Sequence, residues 1–307
     1  MYDYIKRKID YEILSKKDDR FYIEEYIKYE SPYRYKKYEE TKFIYSYLFT
    51  PKSKVKGNLL FLHGMGDKNL KFLMYFPKEF AKNGIRSLVM ILPYHFERTP
   101  KGMKSGEYIL KENVLKNFEF SVVDTRYSLN LLRQLGDEPL SIMGVSFGGM
   151  IATISMAFEK DVEKGILVVT GGNFYYITWE SIVTKVLRKS YEEDKTCSKK
   201  KCFEIHRNFR DFIDNLNSLD ELDKKKSIKD CFLYDPLTFA KFLKERKILM
   251  FGAKFDVFIP KESTLSLWRE LGEPELIWFP TGHLSIILLR KKILNKSLKF
   301  LQDEDIY

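Results

Sequence analysis

Short apolar runs alternate with longer amphipathic segments along most of this chain, and this alternation limits the folds open to it. Runs such as 165–171 and 247–253 are apolar at nearly every position, which is typical of strands covered on both faces. The pattern predicts strands at 43–49, 58–62, 85–92, 140–144, 165–171, 247–253 and 275–280, with helices at 68–83, 111–135, 147–158, 260–271 and 284–302. Strands separated by helices form mostly parallel sheets covered on both sides, so the predicted class is α/β.

One stretch, 139–158, carries no charge and is about as long as a helix that crosses a bilayer. Its interior contains Gly144, Gly148 and Gly149 together with several serines, which suit a lipid-facing helix poorly. A short strand, a tight turn and a buried helix would use all of these residues. We therefore expect no membrane span here.

The composition is that of a globular protein, with 44% hydrophobic and 15% aromatic residues. A net charge of +10 comes from 53 basic and 43 acidic residues, but the two signs are interspersed, so we expect no nucleic-acid partner. The charged amino terminus does not resemble a signal peptide, and three cysteines cannot form a disulfide framework, so we expect a cytoplasmic protein. Cys197 and Cys202 have no second pair nearby, so we expect no metal and no cofactor; whether these two thiols pair stays open.

The strand and helix alternation is interrupted between 174 and 240, where half of the positions from Lys185 to Asp230 are charged. Apolar residues there recur at helical spacing, which predicts a helical cap inserted into a core made of 42–173 and 241–307. Residues 1–41, rich in Tyr and Lys, are interpreted as an N-terminal extension on that core. The alternative for the insertion is a solvated decoration with no role.

The sharpest local signal is Gly144-Val145-Ser146-Phe147-Gly148-Gly149, between a predicted strand and a predicted helix. A serine on a strained strand-to-helix turn needs small neighbours, because the adjoining chain passes close by. The turn exposes the hydroxyl above the sheet and places the next backbone N–H at the positive end of a helix. Ser146 is therefore the candidate nucleophile.

A serine nucleophile needs a base, and the chain has four histidines, which are His63, His95, His206 and His283. Ser146 lies at the carboxyl end of its strand, so the base should also follow a strand end. His283 follows the strand at 275–280 and is the candidate base. His206 sits in the charged insertion and is interpreted as surface, while His63 is kept as a less favoured alternative base.

The base in turn needs a carboxylate to orient it, and Asp256 directly follows the strand at 247–253. The alternative for Asp256 is an N-cap of the helix that starts at Pro260. Asp235 is the rival acid, but turn or cap chemistry explains an Asp before Pro236 equally well.

Acyl transfer needs two N–H donors for the oxyanion, and the turn after Ser146 supplies Phe147. Gly64 and Gly66 flank Met65 after the strand at 58–62, which makes the Met65 N–H the natural second donor. His63 is interpreted as a residue that holds this loop by hydrogen bonding, next to the bound substrate.

Together these pieces resemble the α/β-hydrolase superfamily, and its serine esterase and lipase-like members in particular, over 42–302. The resemblance rests on the chain order of oxyanion loop, nucleophile, acid and base. It implies roles for Ser146 as nucleophile, Asp256 as orienting acid, His283 as base, and Met65 with Phe147 as oxyanion hole. It also implies a helical cap where the insertion at 174–240 falls.

From this we expect a serine hydrolase that cleaves a small, apolar and uncharged carboxylic ester through an acyl-enzyme. A peptidase or acyltransferase with the same triad, or a binding protein without activity, stays open, as does a homo-oligomer. The apolar stripe of the insertion suggests Phe209 and Phe212 as pocket residues. His95 follows a strand end and is a further candidate for the pocket lining, with packing inside its own loop as the alternative. Gly64 and His63 complete the expected substrate-binding set.

Overall fold

The computed structural model describes residues 1–66, 69–110, 113–193, 196–222 and 229–303. Its strands are β1 (Tyr11–Asp18), β2 (Tyr22–Glu30), β3 (Phe43–Pro51), β4 (Gly57–Leu62), β5 (Ile85–Met90), β6 (Leu140–Val145), β7 (Val162–Val168), β8 (Lys247–Ala253) and β9 (Glu275–Phe279). Its α-helices are α1 (Tyr75–Lys82), α2 (Val114–Leu135), α3 (Phe147–Phe158), α4 (Phe174–Glu180), α5 (Lys185–Glu193), α6 (Lys199–Arg207), α7 (Phe209–Asp214), α8 (Cys231–Tyr234), α9 (Pro236–Ala240), α10 (Lys261–Glu270) and α11 (Arg290–Leu301).

The strands form one sheet in the order β1-β2-β3-β5-β4-β6-β7-β8-β9. Strands β1, β2, β3 and β5 pair antiparallel in turn, and all pairs from β5 through β9 are parallel. Parallel strands bring their carboxyl ends to one edge of the sheet. The loops after β4, β6, β8 and β9 therefore meet there, and the predicted α/β-hydrolase fold is confirmed.

Two apolar cores cover the sheet, one on each face. Strand β4 shows the division, because Leu60 and Leu62 point into one core while Leu59 and Phe61 point into the other. Helices α2 and α3 pack on the first face, whereas α1 and α11 pack together on the second. Every residue of β4 is buried, as expected for a strand covered on both sides.

The uncharged stretch at 139–158 forms β6, a tight turn and α3, as predicted. Among the described residues, no helix is long and apolar enough to cross a membrane.

The predicted helix at 68–83 is shorter in the structure, where α1 begins only at Tyr75. Pro77 explains this start, because proline fits the first turn of a helix but disrupts its interior. The predicted helix at 284–302 opens with a 3₁₀ segment, Ser285–Leu289, before α11. Residues 67–68 and 111–112, at the ends of two predicted helices, lie outside the described residues.

The amino-terminal segment contributes β1 and β2 to the sheet, which the sequence pattern did not predict. It is also anchored on α8 and on α2. Tyr2 is fully buried and donates its hydroxyl to the carbonyl of Leu233, in α8, at 2.8 Å. Ser31 donates to the buried carboxylate of Asp124 at 2.6 Å.

In the described part of 174–240 there are six α-helices, α4 to α9, and no strand. These helices do not all stand above the sheet. Helix α8 packs on α2, and α9 packs on α3, so the last part of this segment covers the first face of the core.

Candidate active site

Ser146 occupies the sharp turn between β6 and α3, with a backbone φ of 54° and ψ of −119°. That conformation is unfavourable for a residue with a Cβ, and it persists because neighbouring chain fixes it. The Ser146 N–H donates to the carbonyl of Val168 at 2.8 Å, and the Thr170 hydroxyl donates to the Ser146 carbonyl at 2.8 Å. A Cβ on Gly148 would lie 2.5 Å from the carbonyl oxygens of Leu62 and His63. The glycine therefore lets α3 start directly against the end of β4.

The structure brings Ser146, His283 and Asp256 into one hydrogen-bonded chain. Ser146 Oγ lies 2.8 Å from His283 Nε2, and His283 Nδ1 lies 2.7 Å from Asp256 Oδ2. Because a carboxylate only accepts, Nδ1 carries the proton and Nε2 is left to accept from the serine hydroxyl. The side chains of His283 and Asp256 are 7% and 4% exposed, so bulk water competes little for these bonds.

The second oxygen of Asp256 is fixed as well. Asp256 Oδ1 accepts the backbone N–H groups of Phe258 and Ile259, each at 2.8 Å. Helix α10 begins at Lys261, and these donors precede it, so Asp256 is not its N-cap. The carboxylate is thereby held in one orientation toward His283.

The rival acid, Asp235, serves a different purpose. It is fully buried and accepts the N–H groups of Asn173 at 2.8 Å, Phe174 at 2.6 Å and Leu237 at 3.0 Å. Burial raises the pKa of Asp235 to about 6, against the opposing effect of the three N–H donors. It joins the starts of α4 and α9 and does not orient His283.

The loop after β4 places Met65 at the cavity that contains Ser146. Phe147 is the first residue of α3, and the first four N–H groups of a helix have no acceptor within it. Met65 and Phe147 both line the cavity beside Ser146, and their N–H groups stay the predicted oxyanion donors.

Two buried histidines hold the Met65 loop from behind. The ring of His63 bonds to the Gly64 carbonyl through Nδ1 at 2.7 Å, and its Nε2 accepts from the Leu92 N–H at 3.1 Å. His95 Nε2 accepts from the Gly66 N–H at 3.1 Å, and its Nδ1 lies 2.8 Å from the Pro93 carbonyl. Each ring therefore carries its proton on Nδ1.

Burial lowers the pKa of His63 well below its usual range, and the neighbouring His95 lowers it further. Burial lowers the pKa of His95 to about 4. Both rings are consequently neutral near pH 7. His63 cannot act as the base, because its Nε2 is occupied by Leu92 and its Nδ1 by Gly64.

The expectation that His95 and His63 line the substrate pocket is corrected by this geometry. Both rings are fully buried and do not line the cavity, whereas Gly64 and Met65 of the same loop do. The physical reason is that a residue after a strand end can face either the cavity or the backbone that borders it.

The fourth histidine, His206, is half-buried rather than solvated, which corrects its interpretation as surface. Its ring packs against Phe209 and Phe232, at 5.6 and 5.3 Å between ring centroids. Burial lowers the pKa of His206. It takes no part in the arrangement around Ser146.

A cavity of about 410 Å³ opens beside Ser146 and His283. Among its described lining residues none is charged, and besides Ser146 and His283 only Asn69 and Thr184 carry polar side chains. The apolar lining includes Phe72, Leu73, Phe76, Phe118, Phe147, Met150, Phe174, Ile177, Val183, Leu187, Ile286, Ile287 and Ile293. Such a lining accommodates an uncharged apolar group.

Phe209 and Phe212 do not line this cavity, which corrects the expectation based on their apolar stripe. Phe209 is buried and stacks on Phe232 with 4.2 Å between centroids, and Phe212 packs on the same ring at 5.4 Å. They bury one another inside the insertion. From the insertion, α4 and the start of α5 supply cavity residues instead, through Phe174, Ile177 and Leu187.

Sequence reasoning missed most of these apolar residues, although one signal was present. Phe147 and Met150 are three apart, so they share the face of α3 that begins at the nucleophile. For the lining residues from α1, α2 and α11, the sequence contains no comparable spacing from the nucleophile.

The three cysteines, Cys197, Cys202 and Cys231, are free thiols. Within the described ranges, no group of three or more His, Cys, Asp or Glu side chains is arranged to hold a metal ion.

Residues 38–303 match the protein family described as "Alpha/beta hydrolase domain containing 18". Over 77 residues, a quarter of the chain, the sequence is 30% identical to the YdjC protein of Bacillus subtilis (strain 168), and the match spans 66% of that protein's length.

Solved esterases share the fold at low sequence identity. The acetyl xylan esterase from Paenibacillus sp. R4 is 12% identical with a TM-score of 0.68, covering 97% of this chain and 90% of that one. Acetyl xylan esterase 1 from Thermoanaerobacterium sp. JW/SL YS485 is 16% identical with a TM-score of 0.60, covering 96% and 89%.

Proposed function

Since this chain belongs to the family "Alpha/beta hydrolase domain containing 18", we propose that it is a serine hydrolase that cleaves an apolar carboxylic ester through an acyl-enzyme. The observation that carries the proposal is the hydrogen-bonded chain from Ser146 through His283 to Asp256, at the wall of an uncharged apolar cavity. Such a chain activates a serine hydroxyl, and the cavity selects what it attacks.

In the first half of the reaction, Ser146 Oγ attacks the ester carbonyl carbon while His283 Nε2 takes the hydroxyl proton. The carbonyl oxygen becomes an oxyanion that accepts from the N–H groups of Met65 and Phe147. Asp256 stabilises the imidazolium that forms. His283 then gives its proton to the alcohol oxygen as the carbon–oxygen bond breaks, which leaves the acyl group on Ser146.

In the second half, His283 takes a proton from water, and the resulting hydroxide attacks the acyl carbon. The bond to Ser146 breaks, His283 returns the proton to Oγ, and the carboxylic acid leaves. One water is consumed and the protein is regenerated.

The cavity lining supports an apolar ester rather than a carbohydrate one. Two structural neighbours are named acetyl xylan esterases, but a polysaccharide presents hydroxyls that need polar partners when buried. Among the described lining residues only Asn69 and Thr184 add polar side chains beyond Ser146 and His283.

The test is covalent labelling followed by turnover. We expect a fluorophosphonate to label Ser146 stoichiometrically, and 4-nitrophenyl butyrate to be hydrolysed. Ser146→Ala, His283→Ala and Asp256→Asn should each lower kcat by roughly three to six orders of magnitude, because the three groups act as one unit.

His63→Ala is the matched control for His283→Ala. It removes a histidine that supports the loop without touching Ser146. Labelling by fluorophosphonate should therefore still reach completion, at a moderately lower rate. Full activity of Ser146→Ala on every ester that the wild type cleaves would refute the mechanism.

A further inference from the structure

The cavity beside Ser146 extends across the edge of the sheet, because its lining residues belong to both apolar cores. These cores cover opposite faces of the sheet, as the alternating residues of β4 demonstrate. A pocket confined to one face would draw its lining from one core alone. Ser146 and His283 therefore lie between two apolar regions of one cavity.

We call the first region the α3 arm and the second the α11 arm. The α3 arm comprises Phe118, Phe147, Met150, Phe174 and Ile177, all from the core under α2 and α3. The α11 arm comprises Leu73, Phe76, Ile286, Ile287 and Ile293, from the core under α1 and α11 or packed against it. Both arms are apolar.

The position of His283 assigns one arm to each half of an ester. His283 must deliver its proton to the alcohol oxygen, so the alcohol lies on the side of its Nε2 atom. Ile286 and Ile287 follow His283 within four residues and line the α11 arm. Phe147 directly follows Ser146 and is the residue of the α3 arm next to the nucleophile in the chain. Around the tetrahedral carbon, the acyl group then points away from His283, toward the α3 arm.

We propose that the substrate is an ester that is apolar on both sides of its carboxyl group, with the acyl chain in the α3 arm and the alcohol chain in the α11 arm. This inference rests on the proposed esterase function and narrows its substrate class. Each methylene that an arm buries contributes at most about 0.8 kcal/mol, which is close to a fourfold gain in kcat/KM per methylene until that arm is full.

The test uses two ester series, each of which varies one side. In the acyl series, 4-nitrophenyl esters run from acetate to decanoate. In the alcohol series, butyrate esters run from methyl to octyl, with acid release followed at constant pH. We expect kcat/KM to rise with chain length in both series and then to level off.

Matched variants separate the arms, because each arm contains an isoleucine that can be enlarged in the same way. Ile177→Trp should lower kcat/KM for the longest acyl chains about tenfold or more relative to acetate, while the alcohol profile keeps its shape. Ile287→Trp should do the reverse. Ile205→Trp, in the insertion and outside the cavity lining, is the control and should change neither profile.

Ile177→Ala and Ile287→Ala answer the same question if a tryptophan variant does not fold, because each should extend the chain length tolerated in its own arm only. The fraction of active protein is set by fluorophosphonate titration in every case. A flat alcohol series, or an exchange of effects between Ile177 and Ile287, overturns the two-arm assignment while ester hydrolysis stands. Absence of both labelling and turnover with all esters overturns the proposed function and this inference together.

Discussion

Ser146 is held in a backbone conformation that costs energy. Substitutions of Ser146 can therefore change the stability of the protein independently of their effect on activity. A residue at φ 54° and ψ −119° stores on the order of 1–3 kcal/mol of strain, which glycine relieves. Glycine also lowers the stability of the folded protein by about 0.5–1 kcal/mol relative to alanine, because it gives the unfolded chain more conformational freedom.

We therefore expect Ser146→Gly to be about 1 kcal/mol more stable than Ser146→Ala, although both lack the hydroxyl and both are inactive. The matched pair keeps the loss of side-chain hydrogen bonds the same. Urea denaturation of the two variants measures the difference. Equal stability, or a more stable alanine variant, would mean that the turn is not strained.

His95 makes stability depend on pH through its contact with the Met65 loop. Its folded pKa of about 4 lies below the usual value of 6.5, so the unfolded chain binds a proton first as the pH falls. The stability from neutral His95 is complete above about pH 6.5 and is lost as the pH falls toward 4. Protonation would also place a second donor against the Gly66 N–H.

The expected loss from His95 is on the order of 3 kcal/mol across that window. Between pH 8 and pH 4 the stability of wild type relative to His95→Gln should fall by about that amount in denaturation experiments, because the glutamine does not titrate. If the two curves stay parallel across this range, His95 does not carry the pH dependence.

The sequence predicted which residues meet at the carboxyl edge of the sheet, because chain order and the ends of parallel strands decide this. Ser146, Asp256, His283 and Met65 each follow a parallel strand, and parallel strands deliver such residues to one edge. It could not place His95, because a position after a strand leaves the direction of the side chain open. For Phe209 and Phe212 the apolar stripe indicated burial, but periodicity does not identify the partner.

At the scale of elements, Asp235 joins the two ends of the inserted segment. Its carboxylate accepts from Asn173 and Phe174 at the start of α4 and from Leu237 at the start of α9. Phe174 is also a wall of the α3 arm. Three buried N–H groups would lose their acceptor without it, and each unsatisfied group costs about 1–3 kcal/mol.

We expect Asp235→Ala to lower the free energy of unfolding by about 2 kcal/mol or more and to alter acyl-chain selectivity through Phe174. Asp230→Ala is the control, because Asp230 is exposed and its side chain makes no capping hydrogen bond at the start of α8. Thermal denaturation and the acyl ester series measure the two effects. A variant as stable as the control would show that these N–H groups find other acceptors.

The sequence pattern predicted most of the sheet and helices, but it missed two strands and placed the start of one helix too early. Strands β1 and β2 escaped notice because they are rich in Lys, Glu and Tyr, and such composition resembles a surface segment. Strand β1 pairs with β2 and β2 pairs with β3, and the local sequence of one strand does not contain its pairing with another. The late start of α1 was readable from Pro77, whose ring excludes it from a helix interior.

At the scale of the whole molecule, a buried ion pair joins three distant segments. Arg98 and Asp124 are both 0% exposed, and Arg98 Nη2 donates to Asp124 Oδ2 at 2.5 Å. Arg98 also donates to the Ile91 carbonyl at 2.9 Å, and Ser31 donates to the other oxygen of Asp124. The amino-terminal segment, the loop after β5 and α2 thus meet at one pair of charges.

Removing one partner leaves an unpaired buried charge, which costs about 3–5 kcal/mol. We expect Asp124→Leu and Arg98→Met each to lose about that much stability, and the double variant to recover most of it. Denaturation of all four proteins closes the cycle. If the losses simply add in the double variant, the two charges do not interact.

Strand β1 forms an edge of the sheet and is exposed along nearly its whole length. Lys16 and Lys17 face Glu25 and Glu24 on β2, and the register shifts between Ile13 and Ser15. A strand from another copy would have to pair with β1, whose register is irregular and half of whose side chains are charged. Two copies of this protein therefore cannot readily join their sheets through β1 into a fibre.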